Sequence, residues 1–98
     1  MNKVFVIQTL RLHEPELKAA GIAHLLLFGS VARGDNSARS DVDLMAEFEP
    51  STRRTLVSMA RLENRLSDLL GARVDLSPSQ TMRESVRTRA LREAVHAF

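Results

Sequence analysis

Along the chain, apolar positions change spacing several times, and each change marks an element. From Asn2 to about Arg11, Val4, Phe5, Ile7 and Leu10 recur at a ragged helical spacing. "HEPELKAAG" follows as a short helix, bracketed by Pro15 near its front and Gly21 beyond its end, with Glu14 and Glu16 at its positive end. "IAHLLLFG" is an unbroken apolar run closed by glycine, the pattern of a buried strand in a sheet covered on both sides. "SVARGDNSARS" is too polar for a strand; Ser30 to Arg33 suit one helical turn and Gly34 to Ser37 a loop. In "DVDLMAEFE", Asp43, Met45 and Glu47 alternate with Val42, Leu44, Ala46 and Phe48, which is the period of a strand.

Helical spacing returns from Ser51 to Leu70 through Leu56, Met59, Leu62, Leu66, Leu69 and Leu70. Pro50 precedes this helix, Ser51 or Thr52 is placed to cap it, and Gly71 to end it. "ARVDLS" reads as a short third strand closed by Pro78. From Gln80 to Phe98 a last helix carries Met82, Val86, Leu91, Val95 and Phe98 on one face, with Arg83, Arg87, Arg89 and Arg92 around it. No repeat or low-complexity tract interrupts the series. Helices alternating with short strands imply an α/β or α+β fold, a small mixed sheet flanked by helices, in one domain over residues 1–98. The edges of so small a sheet are open to a partner.

Composition narrows the function classes. With 98 residues, 44% hydrophobic and 27% charged, the chain is an ordinary globular domain. It has no apolar run of membrane-spanning length and no signal-peptide pattern, so no membrane contact is expected. The absence of cysteine excludes disulfides and thiolate metal sites and suits a cytoplasmic protein. A net charge of +2 and the absence of tryptophan and tyrosine argue against direct nucleic-acid binding. The cations are nearly all arginine, the better residue for forked contacts to phosphate or carboxylate.

The chemistry concentrates in "LFGSVARGDNSARSDVDLMAEF". Asp41 and Asp43 stand two apart at the head of a strand, so their carboxylates aim into one space, with Cα atoms roughly 6.5–7 Å apart. Hard cations such as Mg²⁺ take oxygen ligands and keep positions open for substrate phosphates. Two such ions bridged by carboxylates form the clamp used for in-line phosphoryl and nucleotidyl transfer. A third carboxylate is offered by Asp75, whose side chain lies on the opposite face from Val74 and Leu76; it joins the pair if the strands are adjacent. Taken singly, an Asp-x-Asp is more often a solvated strand start, and Asp75 more often an edge charge; the joint pattern shifts that balance. Gly29 and Ser30 supply the other half of the pattern. A glycine ending a strand before a helical turn exposes backbone N–H groups to phosphate, the Ser30 hydroxyl adds a donor, and Gly34 turns the chain back toward the aspartates. Alone, the same Gly-Ser is a plain strand–helix corner.

These residues resemble the nucleotidyltransferase superfamily, whose core is shared with the palm of DNA polymerase β. Gly29-Ser30, Asp41-Val42-Asp43 and Asp75 match its pattern of Gly-Ser, Asp-x-Asp and a later carboxylate. "LFGSVARGDNSARSDVDLMAEFEP" is similar to the minimal nucleotidyltransferases, the MNT antitoxins encoded beside HEPN-domain toxins, and the likeness continues through "LENRLSDLLGARVDL" and "RTRALREAV".

The resemblance implies a Mg²⁺-dependent enzyme moving AMP from ATP to a hydroxyl, a tyrosine of the HEPN toxin, as the antitoxin of a type VII-like system. Carried over, Asp41 and Asp43 would hold two Mg²⁺ ions, and Asp75 would hold one of them and help deprotonate the attacking hydroxyl. Gly29 and Ser30 would cradle the terminal phosphates. Ser40 would orient Asp41 or bind phosphate, and Arg33 would reach the triphosphate unless it is only an exposed helix-turn arginine. The chain lacks the added domain with which larger relatives grip base or acceptor, so acceptor recognition falls to surface contacts, the C-terminal arginines among them, unless these are a solvated face. The alternative is an antitoxin that neutralises its toxin by binding alone. His13, His24 and His96 have no ligand-like spacing.

Overall fold

A computed structural model describes residues 1–98. Helix α1, Lys3–Leu12, begins where the Asn2 side chain accepts the Phe5 N–H at 2.9 Å. It buries Val6, Ile7 and Leu10. After a break at His13, α2 (Glu14–Ala19) buries Leu17 and hands over to β1, Ile22–Phe28. A short helix α3, Gly29–Arg33, leaves the end of β1, and the chain returns as β2, Val42–Phe48, antiparallel to it. Helix α4, Leu56–Leu70, carries the chain across to β3, Val74–Pro78, which pairs parallel with β2. One turn of 3-10 helix, Ser79–Thr81, leads to α5, Glu84–Glu93, and to a two-residue strand β4, Val95–His96. The sheet order is β3-β2-β1-β4, mixed and flanked by helices as the sequence leads one to expect.

Strand alternation sorts the sheet into two faces. Leu25, Leu27, Val42, Leu44, Ala46, Phe48, Val74 and Leu76 form a core with Val6, Leu10, Leu17, Leu62, Leu66 and Leu70 from α1, α2 and α4. The other face carries Asp43 and Asp75. Its cover is only partial, unlike the two-sided burial expected of β1: Leu26 and Met45 are buried, while His24 is exposed. Helix α5 crosses this face, enclosing with Leu26 and Met45 a cavity of about 440 Å³ that Arg87 and Leu91 also line.

Three boundaries differ from expectation, one of them the start of the last helix, which lies at Glu84 and not Gln80 and so leaves Met82 outside it. The long helix starts at Leu56, not near Ser51, and its cap is Thr55, which accepts the Ser58 N–H while Ser58 Oγ accepts the Thr55 N–H. The preceding segment is held elsewhere: Thr52 packs against Gly21, where φ is +103° and no Cβ would fit, and Thr52 N–H bonds Glu49 O at 2.9 Å. The last helix also stops early, at Glu93. Val95 and Phe98 leave the helix face expected for them because β1 has a free edge: Ala97 N–H donates to Leu25 O at 2.8 Å and Leu25 N–H to Phe98 O at 3.1 Å. Arg11 fastens the same strand through Nε to Ala97 O at 2.7 Å.

Candidate active site

The site begins at the junction of β1 and α3. Gly29 has φ +77°, and its Cα lies against the carboxylate of Asp43, so a Cβ there would collide with Asp43 Oδ2. Phe28 and Asp43 are register partners across the antiparallel pair, which explains the contact. The glycine is therefore required twice, by the left-handed backbone and by the aspartate that occupies the side-chain space.

Asp43 and Asp75 are register partners on the adjacent parallel strands β2 and β3. The strand spacing of about 4.8 Å brings two carboxylates of one face close together. Asp41 stands one residue before β2, at the mouth of the same sheet end. Its neighbour Val42 donates its N–H to Arg73 O at 2.8 Å, extending the β2–β3 pairing to that point. Arg73 Nε lies 3.9 Å from Asp41 Oδ1, an exposed and weak pair. Burial, then the charges of Asp75 and Asp41, push the Asp43 carboxyl above its ordinary value, with Arg33 opposing. The cluster thus carries more negative charge than the chain itself neutralises. As the side chains are placed, no three acidic or histidine groups stand close enough together to hold a metal ion.

One site residue escaped sequence reasoning. Glu93, at the end of α5, accepts the Gly29 N–H at 2.9 Å through Oε1 and takes Arg33 Nη1 on both oxygens, at 3.1 and 3.0 Å. The Arg33 hydrogen bond and the Gly29 N–H hold the Glu93 carboxyl below its usual range. Nothing local to "LREAV" signals a partner so distant in sequence. Arg33 is also bound through Nε to Asp35 at 3.1 Å. Gly29, Ser30, Arg33, Asp43 and Glu93 line one cavity of about 300 Å³ between α3 and α5. Ser40 is not among its walls; its Oγ accepts the Ser37 N–H at 2.9 Å and shapes the loop before Asp41. A cavity of about 420 Å³ lies elsewhere, between α2 and the start of α4, and holds none of the predicted residues.

Residues 10–96 match the family described as nucleotidyltransferase domain. The chain is 35% identical over 85 residues to the protein adenylyltransferase MntA of Thermococcus cleftensis, covering 86% of this chain and 84% of that protein. This chain belongs to the nucleotidyltransferase family. Within it the likeness is to the minimal, MNT-type branch. A solved structure named as a minimal nucleotidyltransferase superposes with a TM-score of 0.72 at 36% identity, over 97% of this chain and 95% of the other. The fold also matches, with a TM-score of 0.62 and 15% identity over 90% of this chain and 71% of the other, a Shewanella oneidensis complex of a tri-AMPylated HEPN toxin with MNT antitoxin. No helix of this nucleotidyltransferase is long and apolar enough to cross a membrane.

Proposed function

We propose that this nucleotidyltransferase is an antitoxin that transfers the AMP moiety of ATP to a hydroxyl, that of a tyrosine, on a HEPN-domain toxin. The observation that carries the reading is the pairing of Asp43 with Asp75 across β2 and β3, beside Gly29 and Ser30 and with Asp41 at the same end of the sheet. The kinship to MntA, named a protein adenylyltransferase, supports the reaction, and the fold shared with the Shewanella complex supports the partner.

In the reaction, the acceptor oxygen bonds to the α-phosphorus of ATP, the bond from that phosphorus to the oxygen bridging the β-phosphate breaks, and pyrophosphate leaves. Asp75 receives the acceptor's proton. Ser30 contributes a hydroxyl that the chain leaves without a hydrogen-bond partner, while Gly29, whose N–H is held by Glu93 Oε1, serves by leaving room for the Asp43 carboxylate rather than by presenting a free N–H to phosphate. The donor set fits a hard divalent cation: three carboxylates at one sheet end, one of them raised above its ordinary value by burial first and by the other two charges next. Asp41, Asp43 and Asp75 would hold two Mg²⁺ ions, which when bound offset charge on the α-phosphate and on the leaving pyrophosphate. Co-expression with an adjacent HEPN protein tests the reading. Mass spectrometry of that protein should find the mass of one or more AMP units, lost with Asp43→Asn; an unmodified protein in the presence of the wild type would overturn it.

Neutralisation by contact alone is the second reading. It is favoured by apolar side chains left exposed on α1 and at the start of α4: Leu12 at 76%, Leu56 at 92% and Val57 at 62%. If Asp43→Asn protects cells from the toxin as fully as the wild type, this reading replaces the first.

A further inference from the structure

Two cations line the cavity of about 300 Å³ that opens on Asp43, Arg33 from α3 and Arg89 from α5. They are not equally available. Arg33 is bonded through Nε to Asp35 and through Nη1 to both oxygens of Glu93, so its charge is already offset and moving it to a phosphate would break those bonds. Arg89 makes no hydrogen bond or ion pair within the chain. The helix that carries it is nevertheless tied to the site. Arg89 stands one turn before Glu93 on the same face of α5, next to Ala90, which is buried, and Glu93 ties that helix to Gly29. The other walls of the cavity include two carboxylates, Asp43 and Glu93, so an incoming triphosphate meets negative charge unless a free cation accompanies it. A guanidinium offers phosphate a forked, charge-assisted contact.

We propose that Arg89 binds the β- and γ-phosphates of the nucleotide, as a substrate-binding residue supplied by the last helix. The proposal rests on the nucleotidyltransferase reading and deepens it. It also explains why Arg87, two residues earlier, is a proper control: that side chain lines the separate cavity on the other flank of α5, with Leu26 and Met45.

The test is calorimetric binding of ATP and of AMP, each with Mg²⁺, to the full chain, its Arg89→Gln variant and its Arg87→Gln variant. Both positions are exposed, and thermal unfolding checks that each variant is folded. Arg89→Gln should weaken ATP binding roughly tenfold, the scale of one charge-assisted hydrogen bond, and change AMP binding less than about twofold. Arg87→Gln should change neither. Unaltered ATP affinity in Arg89→Gln overturns the proposal, including the case in which the variant instead loses affinity for a protein partner. Equal losses for ATP and AMP, or equal losses in the two variants, overturn it as well. A wild-type chain that binds no ATP would reject the nucleotidyltransferase reading itself, and this assignment with it.

Discussion

The ionised form of Asp43 is disfavoured in the folded chain. Its carboxyl titrates above the ordinary value of 3.8 because of burial first and the Asp75 and Asp41 charges next. A folded-state pKa above the unfolded one means the folded chain holds its proton more tightly, so this group's contribution to stability is greatest at acid pH and falls as pH rises through the raised value. Without divalent cations, Asp43→Asn should therefore melt higher than the wild type at pH 7, by about 2–4 °C for a like-charge relief of about 0.5 kcal/mol in a domain this small. The gain should fade as the pH falls through the unfolded value of about 3.9, below which Asp43 becomes protonated in both states. Mg²⁺ should raise the melting temperature of the wild type and leave that of Asp43→Asn almost unmoved. Thermal scans across pH, with and without Mg²⁺, read all three outcomes. Gly29 meets the same carboxylate from the other side. Gly29→Ala should cost about 2 kcal/mol or more from its positive φ and the collision with Asp43. Urea titration of a double-mutant cycle with Asp43→Ala should show coupling, because removing the carboxylate takes away the worst of the collision and leaves the backbone strain with a tight contact to the Cβ of residue 43; strictly additive losses would contradict it.

Elements differ in how far local sequence determines them. Strand β2 was legible because its period is set by burial on one face, and α2 because Pro15 and Gly21 bracket it. The adjacency of Asp43 and Asp75 was only conditional, since register between strands joined by a long helix is settled by packing, not by neighbours in sequence. Residues 51–55 have the composition of a helix start, yet the contact of Thr52 with Gly21 keeps them out of α4. Val95 and Phe98 fit a helical stripe, but unpaired backbone groups on β1 recruit that segment into the sheet. Glu93 was invisible for the same reason: its partners, Gly29 and Arg33, are brought to it by the fold. That tie between α5 and α3 makes its own prediction. The Gly29 amide should exchange with solvent markedly faster in Glu93→Ala than in the wild type, measured by hydrogen exchange, while amides in α4 keep their protection. Equal exchange at Gly29 would remove Glu93 from the site. The Glu93 carboxyl lies below its usual range, so the tie should hold at neutral pH and loosen as acid protonates it.

At the scale of the molecule, the sheet divides the labour. One face is closed by α1, α2 and α4 into the core, and the other keeps its carboxylates at one end, with α5 laid across it as a wall tethered through Glu93. Away from those carboxylates, Leu12 on α1 and Leu56 and Val57 at the start of α4 stay exposed. The measurement that bears most directly on the proposal is transfer of label from α-labelled ATP to the HEPN partner, with Mg²⁺, by the wild type and by Asp43→Asn and Asp75→Asn. The wild type should label the partner, and both variants, folded and still binding it, should label it at least a hundredfold more slowly, the scale expected when a positioned catalytic group is lost. Labelling by either variant at the wild-type rate would contradict the shared site.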